Sequence, residues 1–176
     1  MGNVPTAVPL TADEVTELHA ARLLLLSQHA GQDGTIHGLT KLAKLDFFVR
    51  YPKFFDRLAL FLGKQAKSLI QETESEMVRH HYGPWDKRYY QSLAFLESRR
   101  LIDVKKEGAA YNFSLTNLGV TRALTLSQSN AFAQLIGQMQ AVRKILGRKS
   151  GTDIKALIYQ VFDAEVASKK LGEIIR

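Results

Sequence analysis

Apolar residues recur at helical spacing along most of this chain and alternate at strand spacing in one short region. Thr11 and Glu14 form a T-x-x-E capping box. Val15, Leu18, Arg22 and Leu25 follow on one stripe, with Leu23, Leu24 and Leu26 beside it. This pattern predicts a first helix over 12–30, stopped by Gly31. After GQDGTIHG, where Thr35-Ile36-His37 reads as a very short strand, a second helix begins at Leu39 or Thr40. Its buried positions are Leu42, Leu45, Phe48 and Val49, and the reading puts Lys41 and Lys44 outside. Tyr51-Pro52 ends it, and Pro52 opens a third helix as a good first residue. That helix is apolar on more than one side through Phe54, Phe55, Leu58, Leu60, Phe61 and Leu62, so it needs a deep core or a partner.

Polar residues fill 64–76, and Asp86 to Arg100 reads as a further helix. Strict alternation then appears. Ile102 and Val104 alternate with Asp103 and Lys105; Tyr111, Phe113 and Leu115 alternate with Asn112 and Ser114. With Gly108-Ala109 between them, these are the two arms of a β-hairpin, and Thr116 caps the next helix. Helix, strand-like link, helix, helix, hairpin, helix is the order of a winged-helix domain. Two amphipathic helices remain. One carries Phe132, Leu135, Ile136, Met139, Val142, Ile145 and Leu146; the other carries Ile154, Leu157, Ile158, Val161, Phe162 and Val166. GRKSGTD separates them, with Thr152 or Asp153 as the expected cap. The expected fold is mainly α with a small β-hairpin. It divides into a flexible arm over 1–10, a winged-helix domain over 11–127 and a C-terminal αα-hairpin over 128–176. That last pair must bury its stripes on the core, a second copy or a partner.

Composition narrows the chemistry. The 176 residues contain no cysteine, which removes disulfides, thiolate zinc sites and cysteine nucleophiles. The net charge is +7, which favours nucleic acid or an acidic partner. No stretch approaches the ~20 apolar residues of a bilayer span. The N-terminus has no secretory pattern, so a cytoplasmic protein without membrane contact is expected. The five histidines, His19, His29, His37, His80 and His81, form no H-x-x-x-H pair. Phosphate-cradling and serine-nucleophile motifs are absent as well. The expectation is a protein that is not an enzyme and uses no metal or cofactor.

On a helical wheel of 86–100, Tyr89 and Leu96 fall beside Leu93. Lys87, Arg88, Gln91, Ser98 and Arg99 fall on the outer arc. Together with Lys105 and Lys106 on the hairpin they are the candidate contacts to nucleic acid or a partner. A solvated basic face is the plainer alternative. Phe95 lands among these bases. With Trp85, Phe54, Phe61, Phe132, Ile136 and Phe162 it makes up the candidate protein interface. The densest cluster, HHYGPWDKRYY at 80–90, reads as a structured turn into a helix, with Trp85 and Tyr89 as anchors.

Two segments, DGTIHGLTKLAKLDFFVRYP (33–52) and MVRHHYGPWDKRYYQSLAFLESRRLI (77–102), carry a family likeness. Through H-G-L-T-K-L-x-K-L-D and Y-G-P-W-D the chain resembles the middle component of bacterial ABC three-component systems, the small subunit of Lamassu-type anti-phage defence operons. The likeness spans residues 10–125 and leaves out the last two helices. It implies a non-catalytic winged-helix assembly subunit with no catalytic residues of its own. The implied partners are an SMC/Rad50-like ATPase and an effector nuclease that the subunit bridges, with DNA as a further contact. The residues alone also fit a free-standing winged-helix transcription regulator that dimerises through its C-terminal helices.

Overall fold

The computed structural model describes residues 14–65, 77–80 and 83–175. The arm over 1–10, Thr11 of the capping box, most of the polar stretch 64–76, and His81 lie outside the described residues. Among the described residues, seven α-helices surround a three-stranded antiparallel sheet and a separate two-stranded one. In chain order they are α1 (Thr16–Ala30), β1 (Thr35–His37), α2 (Leu39–Arg50), α3 (Pro52–Phe61), β2 (Val78–His80), β3 (Gly83–Trp85), α4 (Tyr89–Ser98), β4 (Ile102–Glu107), β5 (Ala110–Leu115), α5 (Asn117–Ser127), α6 (Ala133–Leu146) and α7 (Gly151–Val161).

The hairpin forms as its alternation requires. Ile102 pairs with Leu115 and Glu107 with Ala110, and β1 joins the other edge of β5 through Ile36 and Phe113. The strand order is therefore β1-β5-β4. Thr116 caps α5 by accepting the Gly119 N–H at 2.9 Å. Gly119 is held against the preceding loop: a Cβ there would lie 1.9 Å from the Leu101 carbonyl oxygen. Gly119→Ala must therefore push α5 off the sheet. Its expected cost is about 1–3 kcal/mol in chemical denaturation, and an unchanged midpoint would contradict this packing.

Several boundaries shift from the sequence expectation. Helix α1 starts at Thr16, after Val15, with no side-chain cap. Helix α4 starts at Tyr89 instead of Asp86, because Gly83–Trp85 is spent as a strand paired with Val78–His80. Helix α7 is capped by Ser150, whose hydroxyl accepts the Asp153 N–H while the Asp153 carboxylate accepts the Ser150 N–H. The cap therefore lies two residues before Thr152. Past Val161 the chain makes a wide turn over Asp163–Ala167. The Ile175 N–H then donates to the Met77 carbonyl at 2.9 Å.

The core is built around α2. Every residue from Lys41 to Arg50 is buried. Helices α1, α3, α6 and α7 pack around it, together with β1, β3 and β5. Helix α6 seats on α1 and α2, and α7 on α2 and α3. Their main contacts are thus with the earlier helices, not with each other as an αα-hairpin would have them. Met139, Val142, Leu146, Ile154, Ile158 and Phe162 join the same apolar cluster as Leu23, Leu42, Phe48 and Phe55. Gln138 Nε2 donates to the buried Phe48 carbonyl at 3.1 Å, which ties α6 to α2 directly. This packing corrects the placement of Lys41 and Lys44 outside. A one-faced reading of α2 leaves its polar side for water, and α6 and α7 cover that side.

Candidate functional site

Burying the polar side of α2 forces its charges to find partners inside. Asp46, fully buried, accepts Arg22 Nε at 2.8 Å and the Tyr89 hydroxyl at 2.8 Å; Arg50 Nη1 lies 3.5 Å away. Arg50 Nη1 also donates to Asp86 at 2.7 Å. The Asp86 carboxylate in turn accepts the Arg88 backbone N–H at 2.9 Å and the Arg88 guanidinium at 2.9 and 2.7 Å. His19 sits between Arg22 and Arg88, with a ring nitrogen 2.9 Å from each. Two carboxylates and three arginines from α1, α2 and the segment before α4 thus close one network.

The electrostatics follow from burial and pairing. Burial pushes the Asp86 carboxyl up, but the hydrogen bonds from Arg88 and the charges of Arg50 and Arg88 outweigh it and hold it well below the usual range. Burial also opposes the charge on Arg50; Asp46 and Asp86 more than restore it. Tyr89 stays a phenol, raised by burial and by Asp46 beside it. Lys44 is different. Its ammonium donates to the Pro84 carbonyl at 3.0 Å, and burial, then the charge of Lys155, lower its pKa to about 7. Lys41 donates to the Gly147 carbonyl at 2.7 Å and is lowered by burial. These groups hold the fold together: Asp46 and Lys44 are both fully buried. Among the described residues there is also no group of three metal-ligating side chains.

The candidate contact residues do not form one basic face. Within α4 the exposed side chains are Tyr90, Gln91, Ala94, Glu97 and Ser98, none of them cationic. Lys87 is exposed just before the helix. Arg88 is turned back onto Asp86 and His19, so its charge is already matched. Gln91 donates to Thr16 Oγ1 at 3.1 Å, and Arg99 lies over the Phe95 ring at 5.1 Å. Lys105 and Lys106 are exposed on β4, with Lys106 5.9 Å from the Tyr111 ring centre. The wheel assumed a helix from Asp86. Starting it at Tyr89 moves Lys87 and Arg88 into the turn.

The candidate interface residues divide in the same way. Trp85 is buried edge-on to Tyr89 with ring centres 5.5 Å apart. Phe54 and Phe162 meet edge to face with ring centres 4.9 Å apart, and Arg57 lies over both rings. Ile136 is buried and Phe132 half-buried against the same core. They are therefore spent in the chain's own interior, because α6 and α7 fold back on α2. Phe61 is 52 % exposed, and Phe95 reaches the surface in part.

Phe95 lines a largely apolar groove of about 430 Å³ between α1, α4 and α5. Its walls include Ala20, Leu24, Leu96, Leu101 and Leu118, and Glu17, Arg99 and Arg122 sit on its rim. Leu118 is 45 % exposed, a high value for leucine. A second cleft, of about 590 Å³, lies between the ends of α1 and α6 and is lined by His29, Gln140, Arg143, Lys144 and Arg148. Sequence reasoning passed over it, although R-K-I-L-G-R-K at 143–149 concentrates four bases in seven residues. The apolar stripe of that helix drew the attention instead. No helix among the described residues is long and apolar enough to cross a membrane. Comparison with family models, with curated proteins and with solved structures finds no match to this chain.

Proposed function

We propose that this protein is an assembly subunit without a catalytic site of its own, and that its α1–α4–α5 groove receives an amphipathic helix from a partner. The observation that carries this is the groove itself. It keeps Phe95, Leu118 and Leu101 available, while the two C-terminal helices that could have filled it are used around α2. Arg99 and Arg122 at the rim favour an occupant with carboxylates flanking its apolar stripe. The β1-β5-β4 order, with α4 leading directly into the hairpin, supports reading the frame as a winged-helix variant. With the likeness in 33–52 and 77–102, the partners are an SMC-like ATPase and an effector nuclease of a Lamassu-type defence complex. The subunit then bridges the two.

Co-expression with the ATPase and effector encoded beside it, followed by affinity capture, tests this reading. The wild type should retain the ATPase. Leu118→Glu with Arg122→Glu should lose it at least ~10-fold at an unchanged melting temperature, since both side chains are exposed. A wild-type protein that purifies alone from the co-expression sinks the proposal.

One observation favours a second reading, a dimeric DNA-binding regulator: Lys105 and Lys106 are exposed on the strand that follows α4. Against it, α4 presents no cation to a groove, and the helices meant to dimerise are in the core. Footprinting on the protein's own promoter separates the readings, because sequence-specific protection belongs only to the regulator.

A further inference from the structure

The last turns of α6 and the turn that follows place Gln140, Arg143, Lys144 and Arg148 along one wall of the second cleft, with His29 opposite. No carboxylate lines it. Among the described residues no ion pair involves Arg143, Lys144 or Arg148. Cations in the last turn of a helix usually serve its carbonyl end. Here the Gly147 carbonyl already accepts Lys41 Nζ at 2.7 Å and Gln32 Nε2 at 3.4 Å, so that end is capped without them. The surplus charge is felt by His29, whose ring is lowered by burial and further by Arg143. His29 Nε2 meets Ser127 Oγ at 2.8 Å, which fixes the ring in the wall.

We infer that this cleft binds the phosphodiester backbone of a nucleic-acid duplex, independently of the α1–α4–α5 groove. The cations follow one another, Arg143 and Lys144 in the last turn of α6 and Arg148 two residues past its end, an arrangement suited to successive phosphates of one strand. No Phe, Tyr or Trp lines the cleft, and its one aromatic ring, His29, is held in the wall by Ser127, which disfavours a single strand. It has no glycine-rich cradle of the kind that encloses a nucleotide's phosphates. Ile145 is its one apolar side chain, so an acidic peptide finds charge there but little to pack against. The binding is therefore sequence-independent and steeply dependent on salt.

Fluorescence anisotropy with short random-sequence DNA and RNA duplexes, read across a salt series, tests this on the full chain. The wild type should bind at low salt, and whichever duplex binds more tightly identifies the source of the backbone. Arg143→Gln, Lys144→Gln and Arg148→Gln together should weaken binding at least ~10-fold and reduce the log–log salt slope by roughly 3. All three side chains are exposed, so the melting temperature should not move. Arg143→Lys with Arg148→Lys keeps the charge and should bind nearly as the wild type does. Three results overturn the inference: no duplex binding at low salt; a triple variant that binds with the wild-type slope; or polyglutamate competing as well as duplex DNA. Loss of binding on Lys105→Gln with Lys106→Gln but not on the triple variant overturns it too, by moving the contact to the hairpin.

Discussion

Replacing Asp46 with alanine is expected to destabilise the protein by about 3–5 kcal/mol. That is a large part of the ~5–15 kcal/mol that holds an ordinary domain folded. The carboxylate is fully buried and accepts Arg22 and the Tyr89 hydroxyl, with Arg50 beside it. Removing it leaves the Arg22 charge inside without its counter-charge and Tyr89 without its acceptor. Desolvation is then uncompensated, and this decides the size of the effect. Arg50 still has Asp86 and is affected less. The network is therefore costly to break but replaceable as a unit. Arg22→Met, Asp46→Leu and Tyr89→Phe together should recover most of the loss, since the three groups leave together and His19, which loses Arg22, keeps Arg88. Urea denaturation of the single and triple variants checks both statements. A single variant within about 1 kcal/mol of the wild type, roughly the error of such comparisons, would show that the network contributes little.

Lys44→Met is expected to act in the opposite direction, raising stability by about 2–4 kcal/mol at neutral pH. Lys44 is fully buried, with the Pro84 carbonyl as its hydrogen-bond acceptor and Lys155 contributing repulsion. Its pKa falls from 10.5 unfolded to about 7 folded. At ~1.4 kcal/mol per unit this is a cost of roughly 5 kcal/mol for the charged form. The Pro84 carbonyl, left without its donor in the variant, takes back about 1–3 kcal/mol. The sign runs as the lowered pKa requires. Below pH ~7 both states hold the proton and the cost is complete. Between pH ~7 and ~10.5 the unfolded chain binds more protons, so the wild type gains stability as pH rises. Above that window the cost is gone. The advantage of Lys44→Met should accordingly be greatest at or below pH 7 and shrink toward pH 10, a difference that cancels the other lysines and tyrosines. A constant advantage across that range would mean Lys44 is not the group responsible.

The elements that depend on neighbouring residues were legible. The hairpin at 102–115, the Thr116 cap, the Pro52 helix start and the short strand at 35–37 were all readable from alternation, capping chemistry and the fixed φ of proline. Helix starts that depend on something distant were not. Tyr89 begins α4 because Gly83–Trp85 finds Val78–His80 to pair with, and no periodicity over 86–100 records that. The candidate contacts failed to merge for the same reason. Arg88 counts as a free base only until Asp86 and His19 are seen beside it. The α6 cleft was written plainly in R-K-I-L-G-R-K, but a base cluster becomes a site only when a second wall, here His29 on α1, stands opposite.

The sequence by itself determined most of the helices and the strands of the hairpin, the charge, and the absence of cysteine chemistry. Those properties arise from each residue's own backbone preference and from neighbours three or four places away. The tertiary structure alone decided what α2 is. Its leucines and phenylalanines mark one buried face, yet α6 and α7 return from nearly a hundred residues later to cover the other. Lys41, Lys44, Asp46 and Arg50 then become interior groups that must pair or shift their protons. The same return removed Phe162 and Ile136 from the surface and left the α1–α4–α5 groove and the α6 cleft open among the described residues. Burial on two sides depends on which helices meet, and that is settled by packing across the whole chain.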